Sequence, residues 1–586
     1  MRGLPRQLWS TAQAIGAQLT WDPDSNQTLA LQLEQWARAQ PADPLLWFEG
    51  RSWSVSAVNA AINQHAHAYQ ALGLGRGDVV ALLCDNRPAY LFHCYALAKL
   101  GVIAALIDPQ LVGAPLVQAI DACQPQLLVA SGAQRGALEA IRDAVALGSG
   151  QILIDDETDS LPTQYAWARV LAQRATSDPP QTASRRLDEV VAYVYTSGTT
   201  GLPRAAVVKH HRLWRAGMVF GAALRVGPAD CVYNCLPLCH GTATIIAVPI
   251  ALTQRCRLAL GRRFSARQFW DECRASGATI FSYVGELCRY LVQQPARADE
   301  RDHQVTRVFG NGLRAELWPP LRQRFGVRQV LEFYASTEGN AETLNLLNTP
   351  GSCGVLVPGR MALARYDLER EALTRDARGF AIPAPADEPA LLLGAISARN
   401  GFDGYVDGTA SEQRVLTDVF APGDRWFDTG DLLRRDRLHR LYFVDRLGDS
   451  FRWQSHNVSA QQVEQVLLQA PGVTQCAVYG VAVPGSEGRA GMAALVTDAA
   501  FGAESCYEYV SRALPAYAQP RFLRLVAQLP LTGSLKPRKR ELREQGFDPS
   551  WLAEGERLYL RDPEQQSYVG LSATLWGRIR AGDWAG

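Results

Sequence analysis

Short apolar runs alternate with helical stretches through the first half of the chain. Val79–Cys84 (VVALLC) reads as a buried strand, and PAYLFHCYALAKLGV after it places apolar residues at helical spacing. AALID at 104–108 and QLLVA at 126–130 read as the next strands. That βαβ rhythm predicts an α/β fold, a large N-terminal domain of mixed and parallel sheets covered by helices. The polar, proline-containing stretch 173–188 (QRATSDPPQTASRRLD) reads as an exposed connection into a further apolar strand, VVAYVY at 190–195. Around 431–450 the pattern turns to charged hairpin chemistry with two Gly-Asp pairs. Beyond it SAQQVEQVLLQA predicts a helix with Ser459 as N-cap, inside a compact α+β segment. The expected organisation is therefore 1–446 and a smaller C-terminal domain over 447–586, without internal repeats.

Composition narrows the function. A chain of 586 residues, 47% apolar, buries more than one core, which supports two domains. A net charge of +1 gives no broad face for a polyanion, and RRDRLHR at 434–440 is no more basic than a solvated loop, so nucleic acid is not an expected partner. The N-terminal stretch has no signal core, and the longest apolar run, TATIIAVPIAL at 242–252, falls short of a membrane span. A cytoplasmic protein is expected, with peripheral membrane contact allowed. Cys231, Cys235, Cys239 and His240 are spaced like a metal site, but Pro237 breaks the helix that would align them and no second ligand pair follows. Only four of the 59 basic residues are lysines, Lys99, Lys209, Lys536 and Lys539. Such a bias keeps Lys where a compact ammonium is needed and a planar guanidinium fails.

The sharpest chemical signal is YTSGTTGLPR at 195–204, directly after an apolar strand. Thr196, Ser197, Thr199 and Thr200 with Gly198 and Gly201 make a loop whose N–H and hydroxyl groups suit a polyphosphate. The spacing is not that of P-loop NTPases. Taken alone, the run also serves as a Ser/Thr/Gly turn.

The run YTSGTTGLPRAAVVKHH resembles the phosphate-loop signature of the adenylate-forming enzymes, the superfamily of acyl-CoA synthetases, peptide synthetase adenylation domains and luciferases. EFYASTEGN at 332–340, WFDTGDL at 426–432, YFVDRLGDSFRW at 442–453 and GSLKPRK at 533–539 resemble its second ATP segment, ribose segment, interdomain hinge and C-terminal catalytic loop, in that order. YVGELCRYLVQQP at 283–295, GNGLR at 310–314, FDGYV at 402–406, GDSFRWQSHNVS at 448–459, YGVAVPGSEGRAGMA at 479–493 and LPAYAQPRF at 514–522 resemble the fatty acid transport protein or very-long-chain acyl-CoA synthetase branch, in a soluble bacterial form.

The resemblance implies an enzyme that uses ATP, Mg²⁺ and CoA to convert a fatty acid to its acyl-AMP and then its thioester. It implies that Thr196 to Gly201 and Arg204 hold the phosphates, and that Glu338 binds Mg²⁺. It places Tyr334 on adenine, with Gly312 and Thr337 in the nucleotide site. Asp431 would accept from the ribose hydroxyls with support from Arg446, and Lys536 would bridge the carboxylate and the α-phosphate. His240 matches a position near the acyl and thiol tunnel, and reads equally as a core histidine. After adenylation the small domain is expected to swing about Arg446–Asp449. Taken singly, Asp431 is also a turn acid, Glu338 a surface acid and Tyr334 a core residue.

The chain departs from the pattern at Arg204, where Lys is usual, at Ala335 for Gly, at Cys239 for Tyr, and at Gln454-Ser455-His456 for Lys-Gly-Glu. The last change falls where the thioester-forming face is built and bears on the acceptor. Two other readings stand beside the synthetase: an acyl-AMP ligase loading a carrier protein, and a non-catalytic fatty-acid uptake or trapping protein. The Gly pattern GLGRGD at 73–78 lacks the spacing of a dinucleotide fold.

Overall fold

The computed structural model describes residues 22–156, 166–197, 203–368, 370–397, 400–453, 456–484, 486, 488–532 and 535–582. Contacts divide the chain into two compact units, residues 1–354 with 401–414, and residues 355–400 with 415–586. The expected C-terminal region 447–586 lies wholly inside the second of these.

The first unit opens with the helix Leu29–Ala39, followed by the hairpin Pro44–Phe48 (β1) and Arg51–Ser54 (β2). Its first large sheet is built from Val79–Leu83 (β3), Ile103–Leu106 (β4), Leu127–Ser131 (β5), Ile152–Asp155 (β6), Val190–Ser197 (β7) and Pro203–Lys209 (β8). The order is β6-β5-β3-β4-β7-β8, parallel throughout except for the β7–β8 hairpin. The apolar runs therefore fold as the central strands, because a parallel sheet covered on both faces buries every residue. The helix Pro88–Leu100 begins where proline's missing N–H costs nothing and ends at Gly101, in the left-handed conformation. The second sheet comprises Cys231–Asn234 (β9), Arg257–Leu260 (β10), Ile280–Val284 (β11), Arg307–Asn311 (β12), Gln329–Tyr334 (β13) and Thr343–Leu344 (β14). Its order is β14-β13-β12-β11-β9-β10-β1-β2.

The stretch 173–188 is not wholly exposed as its polarity suggested. Thr182 and Arg185 are buried, and Asp178 accepts from Asn59, Asn63 and Arg38. The physical reason lies in Lys99, fully buried on Pro88–Leu100. Its ammonium donates to Glu34 (2.8 Å), Asn59 (2.7 Å) and Asn63 (2.6 Å), and Asp178 lies 3.6 Å away. Three donors on one compact head meet three acceptors, a geometry a planar guanidinium cannot reproduce. Burial pulls the ammonium's pKa down and the Glu34 charge opposes that shift. Lys99→Met takes the nearer counter-charge from buried Glu34 and leaves it the exposed Arg38 at 3.3 Å, and is expected to lower unfolding free energy by about 3–5 kcal/mol. Urea unfolding of the variant checks this; a loss under about 1 kcal/mol contradicts it.

In the second unit, Met361–Ala364, Ala390–Ala395, Arg425–Arg435 and Arg440–Arg446 form an antiparallel sheet. The 425–446 hairpin turns on Asp436, whose Oδ1 accepts from the N–H groups of Leu438 and Arg440. A five-stranded sheet follows, from Val473–Ala482 to Ser567–Gly570. The helix Ala460–Leu467 packs on it, with Ser459 Oγ accepting from Gln462 N–H as its N-cap. Among the described residues, no helix is long and apolar enough to cross a membrane.

Candidate active site

In the first unit the site gathers at the C-terminal ends of strands, where ligands of α/β sheets bind. Strand β7 carries Thr196, whose hydroxyl donates to the Arg204 carbonyl across the hairpin (3.5 Å). Gly198, Thr199, Thr200 and Gly201 lie outside the described residues, as does the side chain of Ser197. The next strand, β8, is extended sideways by the FDGYV segment: Val207 N–H donates to Gly404 O, and Val406 N–H to Ala205 O (both 2.9 Å). This brings Tyr405 to the site. Its ring takes the Arg204 guanidinium at 5.8 Å, and its hydroxyl donates to Glu338 Oε1 at 2.9 Å.

Thus Arg204 and Glu338, 134 positions apart, share one tyrosine. The Glu338 segment is held from behind by two arginines of the helix His210–Leu224. Arg212 donates to Ser336 O (2.6 Å) and Arg215 to Glu342 (2.6 Å). Burial pulls the pKa of Arg212 down, and the Glu342 charge opposes the shift.

His240 sits at the start of a π-helical turn, Thr242–Ala247, a device common at functional sites. Asn86 clamps the preceding loop, donating to Leu236 O and accepting from Leu238 N–H. His240 Nε2 lies 3.7 Å from Asp108. A Cβ at Gly241 would stand 3.5 Å from Thr337 Oγ1, so the His240 loop borders the Thr337–Glu338 segment. Burial pushes the thiols of Cys231, Cys235 and Cys239 up, as for packed core cysteines. Tyr334 closes strand β13, almost buried, with Thr343 opposite it on β14. Gly312 follows β12 with φ +80°, a conformation that glycine adopts without strain.

In the second unit, three residues from separate motifs converge. Asp431 and Arg446 face each other across the 425–446 hairpin, with Arg446 Nε 3.4 Å from Asp431 Oδ1. Asp431 N–H donates to Thr429 Oγ1 (3.1 Å), whose own proton goes to Leu392 O (2.7 Å). Lys536 rides on a tight turn, its N–H held by Thr532 Oγ1 and its carbonyl by Thr532 N–H. The Arg446 guanidinium lowers the ammonium of the exposed Lys536 to about 8, opposed by Asp431 and Asp449. Behind it, Lys539 pairs with Glu464 (2.8 Å), and Arg543 donates to Gly448 O in the expected hinge (3.0 Å). Gln454 and Ser455 lie outside the described residues, whereas the His456 ring stacks on Tyr517 at 4.3 Å.

Sequence reasoning missed Tyr405, Arg212 and Arg215 as site residues. FDGYV was the only signal for Tyr405, and nothing in the motif order pairs it with Glu338. The two arginines stand behind the phosphate-loop strand in an Arg-rich chain, where composition hides them.

The first unit offers hydroxyls and an arginine for anionic oxygens and a carboxylate for a hard cation, and the second, taken by itself, offers an acid–arginine pair and a lysine of lowered pKa. The model of the AMP-binding enzyme family matches residues 33–378, and that of the AMP-binding enzyme C-terminal domain matches 462–536. Long-chain fatty acid transport protein 1 of Homo sapiens is 38% identical over 550 residues, 92% of this chain and 84% of that protein. The medium/long-chain-fatty-acid–CoA ligase FadD6 of Mycobacterium tuberculosis is 36% identical over 563 residues, 94% of this chain and 93% of its own length. Among solved structures, the anthranilate CoA ligase AuaEII with anthranoyl-AMP superposes with a TM-score of 0.76 at 20% identity, covering 89% of this chain and 98% of that one. ATP-bound MatB from Rhodopseudomonas palustris gives 0.72 at 21% identity, covering 88% and 99%.

Proposed function

Since the chain belongs to the adenylate-forming AMP-binding enzyme family, near its fatty acid transport proteins, and is thereby an AMP-forming acid–thiol ligase, we propose that it activates long or very long fatty acids, branched ones included, and passes them to CoA. The observation that carries the mechanism is the convergence of Lys536, Arg446 and Asp431. An oxygen of the fatty carboxylate attacks the α-phosphorus of ATP and pyrophosphate leaves. The thiol of CoA then attacks the acyl carbonyl carbon, its proton passes to solvent, and AMP leaves.

Both carboxylate and triphosphate are anionic, so the barrier falls where cationic and hydrogen-bonding groups meet the charge of the transition state. Thr196 to Gly201 and Arg204 take the β- and γ-phosphates in this reading. Lys536 binds the carboxylate and α-phosphate oxygens, and Asp431 accepts from the ribose with Arg446 beside it. Tyr334, Gly312 and Thr337 line the nucleotide, and His240 borders the acyl and thiol path. The hard carboxylate oxygens of Glu338 fit Mg²⁺, which when bound neutralises phosphate charge. Tyr405 orients the Glu338 carboxylate for it. The hinge follows Arg446, with 447–586 turning as one body between the two half-reactions. ATP and CoA being cytosolic substrates, a cytoplasmic location goes with the same reading.

The test is acid-dependent AMP release with ATP and Mg²⁺ across medium, long and branched acids, with and without CoA. AMP and acyl-CoA formed together, with highest kcat/KM for long acids, is the expected result. Acyl-AMP that CoA never discharges would instead favour a carrier-protein acceptor, a reading that Gln454-Ser455-His456 at the thioester face keeps in view. No AMP with any acid overturns the catalytic reading.

A further inference from the structure

Tyr283, Gly310 and Glu332 lie in one row across three neighbouring parallel strands, β11, β12 and β13. The middle member has no side chain. A Cβ at Gly310 would stand 2.6 Å from the Tyr283 ring, so only glycine lets the tyrosine fold across the central strand. Its hydroxyl donates to Glu332 Oε2, with both side chains buried.

The other oxygen, Glu332 Oε1, accepts from Leu313 N–H at 3.0 Å, and the neighbouring Gly312 N–H favours the carboxyl's charge. A buried carboxyl thus holds the turn that follows β12 by its Leu313 N–H. The opposite side of that turn is closed by Gly285, where a Cβ would overlap the Gly312 carbonyl oxygen at 1.8 Å. Gly312 alone is conformationally loose; gripped between Glu332 and Gly285 it has one position. Two residues beyond the Gly310–Glu332 pair, the two chains reach Gly312 and Tyr334, and alternation along β13 puts Tyr334 on the same face as Glu332.

We propose that Glu332 and Tyr283 form a buried strut that positions the Gly312–Leu313 turn beside Tyr334 for the adenine of ATP. Glu332 is a positioning residue, acting through the turn; the proposal rests on the reading of Gly312 and Tyr334 as nucleotide-binding. Burial pushes the Glu332 carboxyl up to about 8, against its hydrogen bonds from Tyr283, Leu313 and Gly312. The titratable groups facing it are the Tyr283 hydroxyl and the Cys288 thiol of the helix Gly285–Gln293. Glutamine keeps a carbonyl oxygen for the turn and sets an N–H against the phenol oxygen, which then accepts where it had donated.

The experiment measures ATP binding by calorimetry on the full chain, and KM for ATP and for acid separately. Glu332→Leu is expected to weaken ATP binding and raise the ATP KM by about tenfold, the loss of one or two buried hydrogen bonds, with the acid KM unchanged. Glu332→Gln is expected to stay within about twofold of the parent protein. Tyr283→Phe, which removes one hydroxyl, serves if Glu332→Leu fails to fold, and is expected to shift ATP binding in the same direction. ATP binding by Glu332→Leu equal to that of the parent, equal rises in both KM values, or failure of Glu332→Gln to rescue would each overturn the strut. Failure of the unaltered protein to bind ATP would instead sink the nucleotide-site reading beneath it.

Discussion

Lys536→Ala is expected to lower acid-dependent AMP formation by about 10²–10³-fold, the scale of losing one preorganised donor at a developing anion. The fold should survive, because Lys536 is held by the backbone of its turn while the buried ionic contacts behind it belong to Lys539. Lys536→Arg is not expected to rescue, since a fork of planar donors replaces a point charge on a flexible stem. A pH profile adds a second arm. The ammonium is held near 8, chiefly by Arg446, so the charged form is present below that value and is lost as pH rises through it. Adenylation should therefore fall on the alkaline side of about pH 8. Arg446→Gln removes the largest cause and should carry that limb upward, toward the ordinary lysine range. Pyrophosphate exchange against pH reads both effects. An alkaline limb that stays in place in Arg446→Gln, or a Lys536→Ala protein with a tenth of normal activity or more, contradicts the assignment.

The second large effect is expected at Glu338. Glu338→Gln keeps an acceptor for the Tyr405 hydroxyl but removes the charge, so a fall of about 100-fold with a raised Mg²⁺ requirement reports the metal role alone. Tyr405→Phe removes the orienting hydroxyl and leaves the carboxylate, and a fall of about threefold to tenfold is expected, in line with one hydrogen bond to a charged group. Activity titrated against Mg²⁺ separates the two. A Glu338→Gln protein with an unchanged Mg²⁺ dependence would remove the metal role and leave Glu338 as a partner of Tyr405.

The lysine bias illustrates how much a sequence discloses and where it stops. Four lysines among 59 basic residues marked positions where a guanidinium would not serve. Three of them meet carboxylates, Lys99 with Glu34, Lys209 with Asp403 and Lys539 with Glu464, and the fourth is the expected catalytic Lys536. Which lysine was structural was not legible, since Lys99 finds Glu34, Asn59 and Asn63 only once three helices pack. The polar stretch 173–188 misled for the same reason: Asp178 reads as loop polarity until the buried ammonium it faces is known.

What the sequence by itself determined is local or ordered along the chain. The apolar runs became the central strands because both faces of a parallel sheet are covered. Ser459 became a cap because its hydroxyl reaches an N–H three residues on. The five motifs identified the family because their order is itself one-dimensional. Only the tertiary structure decided which side chains meet. Tyr405 joins Arg204 to Glu338 through strand addition to β8, Tyr283 reaches Glu332 over a glycine two strands from its own start, and Arg446 lowers the ammonium of Lys536 ninety residues away. The first two are contacts between residues far apart in sequence and the third is a charge interaction, and all of them depend on distance in space rather than separation along the chain.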